Sequence, residues 1–273
     1  MLNRNNIFLG TASWGIKVSK EQAKDILAEF YSNGFRWIDT ATNYPIDMVP
    51  EHFGLTLSWL KEFINEFPGI HIYVKAGSAT NLNTPKQLIS RDYFELCYQR
   101  LRAYFGDTFA GLAIHWDQGE NDEKVAELLS FLASSRQDNF EVGLSGITNL
   151  TQYSVKGVGY DIPWIYQINA SPFTENLENR VAHIRSNFPK SAILGYNLLG
   201  GLAGAGMTTP NARIEEISRI LNMDWNASKT QIIHEVLKRG LAMKLDGFVL
   251  GPTKKEDCLD WITAINGLLN EES

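Results

Sequence analysis

Residues 35–44 read FRWIDTATNY. Phe35, Trp37 and Ile38 follow Gly34 and favour extended backbone, and the run then breaks into the polar ATN. Asp39 is therefore expected at the carboxyl end of a short strand, with the Tyr44 phenol five residues further on. Two later runs repeat the pattern of an ionisable residue closing an apolar strand: IHIYVKAG, from Ile70, carries Lys75 at its carboxyl end, and FAGLAIHW, from Phe109, ends on His115. A buried, unpaired ammonium costs several kcal/mol or gives up its proton, so Lys75 needs a carboxylate or a cavity beside it. Three ionisable side chains at the same ends of successive strands imply one shared mouth.

Away from these runs the chain keeps alternating between β-rich and helix-periodic sequence. IFLGTA near Ile7 opens the series and a helix starts from Ser19; further helices run through LTLSWLKEFINEF, FELCYQRLRAYF and EKVAELLSFLA. EVGLSG, WIYQINA, SAILGYN and DGFVLG complete a set of eight candidate strands. Strands alternating with helices imply a parallel sheet, and eight such units suit a closed (β/α)8 TIM barrel, for which about 250 residues is typical. The open-sheet alternative usually carries an early Gly-rich phosphate fingerprint, and none is found here. A chain of 273 residues with 44% hydrophobic content is long enough for such a core, and a single domain over residues 1–273 is expected.

Composition narrows the partners. A net charge of -6 with scattered basic residues argues against nucleic acid, and no apolar run approaches the length needed to cross a bilayer, so a soluble, cytoplasmic protein with no membrane partner is expected. Cys97 and Cys258 show no CxxC spacing and no metal-ligand cluster surrounds them, so neither a disulfide framework nor a metal site is indicated.

Asp39, Tyr44, Lys75 and His115 make a coherent set for carbonyl reduction. A tyrosine with an ordinary pKa near 10 is a poor acid at neutral pH, but an adjacent ammonium stabilises its phenolate and lowers that value. Lys75 supplies that charge, Asp39 holds Lys75, His115 hydrogen-bonds the carbonyl, and Tyr44 gives its proton to the carbonyl oxygen as hydride reaches carbon. Taken one at a time, His115 also reads as a core histidine, the usual place of a lone buried histidine, Lys75 as a lysine reaching solvent, Asp39 as a turn cap and Tyr44 as a packing residue.

In order along the chain, DTATNY, VKAG, IHWD, GLSG, YQINASPF, LGYNLLGG and VLGPTKKED resemble the motifs of the aldo-keto reductases, and the match covers nearly the whole chain. The resemblance implies an NADP-dependent oxidoreductase using NADPH, with NADH not excluded, that interconverts a small aldehyde or ketone and its alcohol. Asp39, Tyr44, Lys75 and His115 are then the catalytic four. The implied cofactor contacts are Thr11; Ser145 and Gln167 at the nicotinamide amide; Tyr196 stacked on its ring; Asn197 and Leu199 at the pyrophosphate; and Gly251, Thr253 and Lys254 at the adenosine phosphate. Trp14 and Trp116, after the first and fourth strands, are read as walls of an apolar substrate pocket, and GGLAGAG from Gly200 as a loop covering the cofactor.

The chain also departs from that family. Ser145-Gly146 stands where Ser-Asn is usual, so one amide contact is missing or comes from Asn169 or Asn149. PIDMVPE follows Tyr44 where a glycine is common, which alters the pocket edge. Asp257 and Trp261 replace a phosphate-binding side chain and an asparagine, and an acidic Asp257 repels a 2′-phosphate that Lys254 attracts. Few residues precede the first strand, so the N-terminal hairpin across the barrel bottom is expected to be absent. Two other functions fit the same residues: a dinucleotide-binding regulatory subunit with little turnover, and a lyase forming a Schiff base on Lys75. Substrate, direction and oligomeric state are not legible.

Overall fold

The computed structural model describes residues 2–82, 86–117, 122–136, 140–154, 163–200, 210–224 and 227–271. Eight parallel strands close on themselves in chain order: β1 (Ile7–Gly10), β2 (Trp37–Ala41), β3 (His71–Ala76), β4 (Phe109–His115), β5 (Glu141–Ser145), β6 (Ile165–Asn169), β7 (Ala192–Tyr196) and β8 (Gly247–Leu250). Between and after them run α1 (Lys20–Ser32), α2 (Leu55–Phe63), α3 (Arg91–Phe105), α4 (Asp122–Ser135), α5 (Leu150–Ser154), α6 (Leu177–Asn187), α7 (Pro210–Ile220), α8 (Lys229–Ala242) and α9 (Lys255–Glu271). This is the (β/α)8 barrel read from the sequence, with α7 and α8 both lying between β7 and β8. Among the described residues no strand precedes β1; a 3-10 turn at Arg4–Asn6 leads into it.

The helices bury one stripe against the barrel. In α1 that stripe is Ala23, Ile26, Leu27 and Phe30, and the helix starts at a reciprocal cap in which Ser19 accepts from Gln22 N–H while Gln22 accepts from Ser19 N–H. α8 begins the same way, with Ser228 and Gln231. No helix among the described residues is long and apolar enough to cross a membrane.

The barrel interior is a separate small core of Phe8, Tyr73, Ala113, Ile165, Leu194 and Val249, with Trp37 and Tyr196 against it. Phe8 stacks on Trp37 at 5.0 Å between ring centroids and meets Tyr73 edge-on at 5.8 Å. Tyr73 fits only because the residues beside it on β4 and β5 are glycines: a Cβ on Gly111 would stand 2.4 Å from its ring, and one on Gly143 would stand 1.8 Å from its hydroxyl. Strand side chains alternate, so two positions further along from Trp37, Tyr73, Ala113, Gly143, Ile165 and Leu194 the same inner face carries Asp39, Lys75, His115, Ser145, Gln167 and Tyr196. The apolar layer is the floor, and the polar layer above it sits at the carboxyl ends of the strands, where barrel enzymes hold their active sites.

Candidate active site

Asp39 lies two residues before the end of its strand, because β2 continues to pair with β3 up to Ala41 opposite Lys75. Its backbone carbonyl is fixed from β1 by Thr11, whose N–H donates at 3.0 Å and whose hydroxyl donates at 3.1 Å. Thr11 is fully buried, so its donors serve the strand pair. The Asp39 side chain is 2% exposed and Lys75 is 3% exposed, and the Lys75 ammonium donates to Asp39 Oδ2. The other carboxylate oxygen, Oδ1, accepts the Gln167 amide at 2.7 Å. Both oxygens of a buried carboxylate are thereby satisfied, as burial requires.

Lys75 Nζ stands 5.2 Å from the centre of the Tyr44 ring, and that ring meets His115 edge-on at 5.7 Å. The four residues read from the sequence thus form one buried cluster, spread over β2, the turn after it, β3 and β4. Burial opposes the charge on Lys75, but the Asp39 carboxylate and the Tyr44 phenol outweigh it and hold the lysine above its ordinary pKa. The phenol departs from the expectation of a lowered pKa. Burial pushes Tyr44 up, and the pull of Lys75 in the other direction reduces that rise without reversing it. The phenol therefore keeps its proton, and the Lys75 ammonium is the one influence of a neighbouring charge that favours its ionised form. Burial, reinforced by Lys75, holds His115 well below its usual range, so its imidazole is neutral, and its Nδ1 has no hydrogen-bond partner among the described residues.

Trp116 stacks on His115 at 4.0 Å with planes 29° apart. Its indole explains one departure from the family pattern: a Cβ on Gly146 would stand 2.4 Å from Trp116 Cδ1, and Gly146 itself adopts a φ of +67°. An asparagine there and this tryptophan exclude each other. Both residues named as substitutes for that contact have their side-chain oxygen engaged. Asn169 Oδ1 accepts from Ser171 N–H, Thr174 Oγ1 and Asn197 Nδ2, and Asn149 Oδ1 accepts from Gln152 N–H at the start of α5. Trp14, in the segment after β1, is fully buried in the main core and edge-on to Phe63.

Ser145, Gln167 and Tyr196 stand on adjacent strands, Ser145 opposite Gln167 and Asn169 opposite Tyr196. Asn197 adopts a left-handed φ of +58° and Gly200 N–H closes the turn onto its carbonyl at 2.8 Å; Leu199, inside that turn, is partly buried against the core. The remainder of GGLAGAG, and the segment that follows Asp117, lie outside the described residues. After β8, Gly251 has open space where a Cβ would stand. Thr253 gives its hydroxyl to Asp257 Oδ2 at 2.8 Å, and Lys229 pairs with Asp257 Oδ1. Burial raises the Asp257 carboxyl, but these hydrogen bonds and the lysine outweigh it and hold the carboxyl below its ordinary range. The repulsion expected from Asp257 is therefore largely compensated, while Thr253 is already engaged. Trp261 is a core residue of α9.

The loop from Pro45 to Phe53 is braced by Asp47, which accepts from Val49 N–H and Asn81 Nδ2 and pairs with His52. It leaves Met48, Val49 and Phe53 exposed at the mouth, with Leu82 from the next loop. Sequence reasoning missed a second brace. The buried Asp117 accepts from Thr148 N–H at 2.6 Å, Thr148 Oγ1 at 2.9 Å and Asn149 N–H at 3.2 Å, tying the loop after β4 to the one after β5.

A model of the Aldo/keto reductase family matches residues 6–240. The fold is similar to that of aldo-keto reductase AKR11C1 from Bacillus halodurans in its holo form, with a TM-score of 0.70 and 14% identity, covering 95% of this chain and 86% of that one. No curated protein matches the sequence at a significant level. The family match runs from just before β1 into α8 and takes in every strand that carries the buried cluster, and on that ground the chain belongs to the aldo/keto reductase family.

Proposed function

We propose that the protein reduces a small aldehyde or ketone, or oxidises the corresponding alcohol, with NADPH or NADH, and that Tyr44 is its general acid. Membership of the family supports a carbonyl-reducing oxidoreductase in general. The observation that carries the finer reading is the Lys75 ammonium, held on one side by Asp39 and facing the Tyr44 ring on the other.

The residues suit a nicotinamide dinucleotide. Ser145, Gln167 and Tyr196 are aligned on three neighbouring strand ends, and the open space at Gly251 lies beyond β8, in a region where barrels commonly bind phosphate. When bound, the dinucleotide supplies hydride to the carbonyl carbon. Tyr44 gives its proton to the carbonyl oxygen, Lys75 stabilises the phenolate left behind, and neutral His115 orients the oxygen by hydrogen bonding. Asp39 keeps Lys75 charged in a site from which water is excluded.

At the adenosine end, Lys255 pairs with Glu29 at 3.3 Å and Thr253 is bound to Asp257, which leaves Lys254 as the exposed cation of this turn with no carboxylate partner among the described residues. Any preference for NADPH therefore rests on Lys254.

The Schiff-base reading fits less well, because a lysine raised in pKa and paired with a carboxylate is a poor nucleophile. The test is oxidation of NADPH and NADH against a panel of aldehydes and ketones. Turnover with either dinucleotide supports carbonyl reduction. Tight binding without turnover points to the regulatory subunit instead, and borohydride trapping of a carbonyl on Lys75 without dinucleotide oxidation points to the lyase.

A further inference from the structure

The hydrogen bond between Gln167 and Asp39 crosses the barrel. β2 and β6 are four strands apart in the closed ring, and the partners are 128 residues apart in sequence. Gln167 is 2% exposed, on a strand whose neighbours in sequence are the apolar Tyr166 and Ile168. The orientation of its amide is fixed by chemistry: a carboxylate only accepts, so the NH2 group faces Asp39 Oδ1 and the amide oxygen faces away. Lys75 holds Oδ2.

We propose that Gln167 is a positioning residue of the active site, which by donating to Oδ1 draws part of the Asp39 charge away from Lys75 and so sets how much of the ammonium's field reaches Tyr44. This role is separate from the contact to the nicotinamide amide that the resemblance implies, and it rests on the reading of Tyr44 as the proton donor. A carboxylate that lost the Gln167 donor would concentrate its charge on Lys75, its remaining charged partner. The ammonium would then be neutralised more completely by Asp39, and the phenolate of Tyr44 would be less well stabilised. The titratable groups facing the cluster are Asp39 and Tyr44, Lys75 and Tyr73 on β3, His115 on β4 and Tyr196 on β7, with Arg180 from α6 and Glu141 on β5 acting at longer range. None of these changes when Gln167 is replaced, so a shift in Tyr44 reports on the Gln167–Asp39 bond.

Gln167→Leu removes the donor at nearly constant volume, Gln167→Asn withdraws it by one methylene, and Gln167→Glu donates only while the introduced carboxyl is protonated. The ionisation of Tyr44 is read in each as the phenolate absorbance that disappears on Tyr44→Phe, and again as the basic limb of the pH–rate profile for reduction. Melting curves establish that each variant is folded. The expected result is an upward move of the Tyr44 midpoint by about one unit in the Leu and Asn variants, with kcat lowered. Gln167→Glu should approach the wild-type rate at acidic pH and fall away from it as pH rises. An unmoved midpoint in a folded variant overturns the proposal, and so does a loss confined to dinucleotide affinity or to stability. Because the phenolate is read without turnover, the inference stands or falls even if no carbonyl substrate is reduced. Absence of any reduction would instead count against the proposed function.

Discussion

His115 shows how the environment of one side chain defines its chemistry. Burial and the like charge on Lys75 keep it neutral in the folded protein, whereas unfolded it takes up a proton once the pH falls below the ordinary value of 6.5. A group depressed in this way makes stability fall as the solution is acidified from about pH 6.5, by up to about 1.4 kcal/mol per pH unit. Denaturant unfolding of His115→Gln beside wild type, between roughly pH 7 and 5, should therefore give the variant the shallower loss; parallel slopes would show that His115 is not held neutral. Asp39, Lys75 and His115 were legible because each is an ionisable residue near the carboxyl end of an apolar strand, a placement burial tolerates only with a partner, and Tyr44 because it follows the first of these strands closely. The net direction of the Tyr44 shift was not legible, since it is the difference between burial and a lysine's field and both depend on the finished fold. Gln167 left a weak trace as a polar residue inside the apolar run WIYQINA, but nothing in local sequence says which strand lies across the lumen.

Strand and helix order followed the sequence closely, because alternation between β-rich runs and helical periodicity is a local signal. Lys75, one residue short of the end of β3, and His115, on the last residue of β4, stand at strand ends as read. What periodicity does not carry is how side chains of different strands share space. Tyr73 fills the floor of the site only because Gly111 and Gly143 give it room, and Gly146 exists beside the Trp116 ring for the same reason. Gly143→Ala should consequently be severe. Its Cβ would stand 1.8 Å from the Tyr73 hydroxyl and 2.4 Å from the Ile165 carbonyl oxygen, and the latter is backbone that cannot swing aside. A loss of about 3 kcal/mol or more in chemical unfolding is expected, at or beyond the upper end of ordinary overpacking. A change under about 1 kcal/mol would mean that the lumen is not packed as described. In the turn between β8 and α9, Lys254→Ala should weaken NADPH binding by about fivefold, corresponding to ~1 kcal/mol for one exposed charge–phosphate contact, while leaving NADH binding unchanged. Equal losses for both dinucleotides in a fluorescence titration would remove Lys254 from the 2′-phosphate.

In the molecule as a whole, an apolar layer of side chains plugs the barrel, and the polar layer above it gathers groups from β2, β3, β4 and β6 into one buried cluster. Closure of the ring brings them together, so the same event that completes the fold assembles the chemistry. Catalysis of this kind needs a proton donor whose removal leaves the binding surfaces intact, and Tyr44→Phe deletes one hydroxyl while keeping the ring that meets His115. The most direct trial is single-turnover carbonyl reduction by Tyr44→Phe beside wild type, with dinucleotide affinity measured in the same preparations. Affinity should stay within about threefold while hydride transfer falls by at least about 100-fold, the lower end for loss of a general acid; a variant that transfers hydride at close to the wild-type rate would contradict Tyr44 as the proton donor.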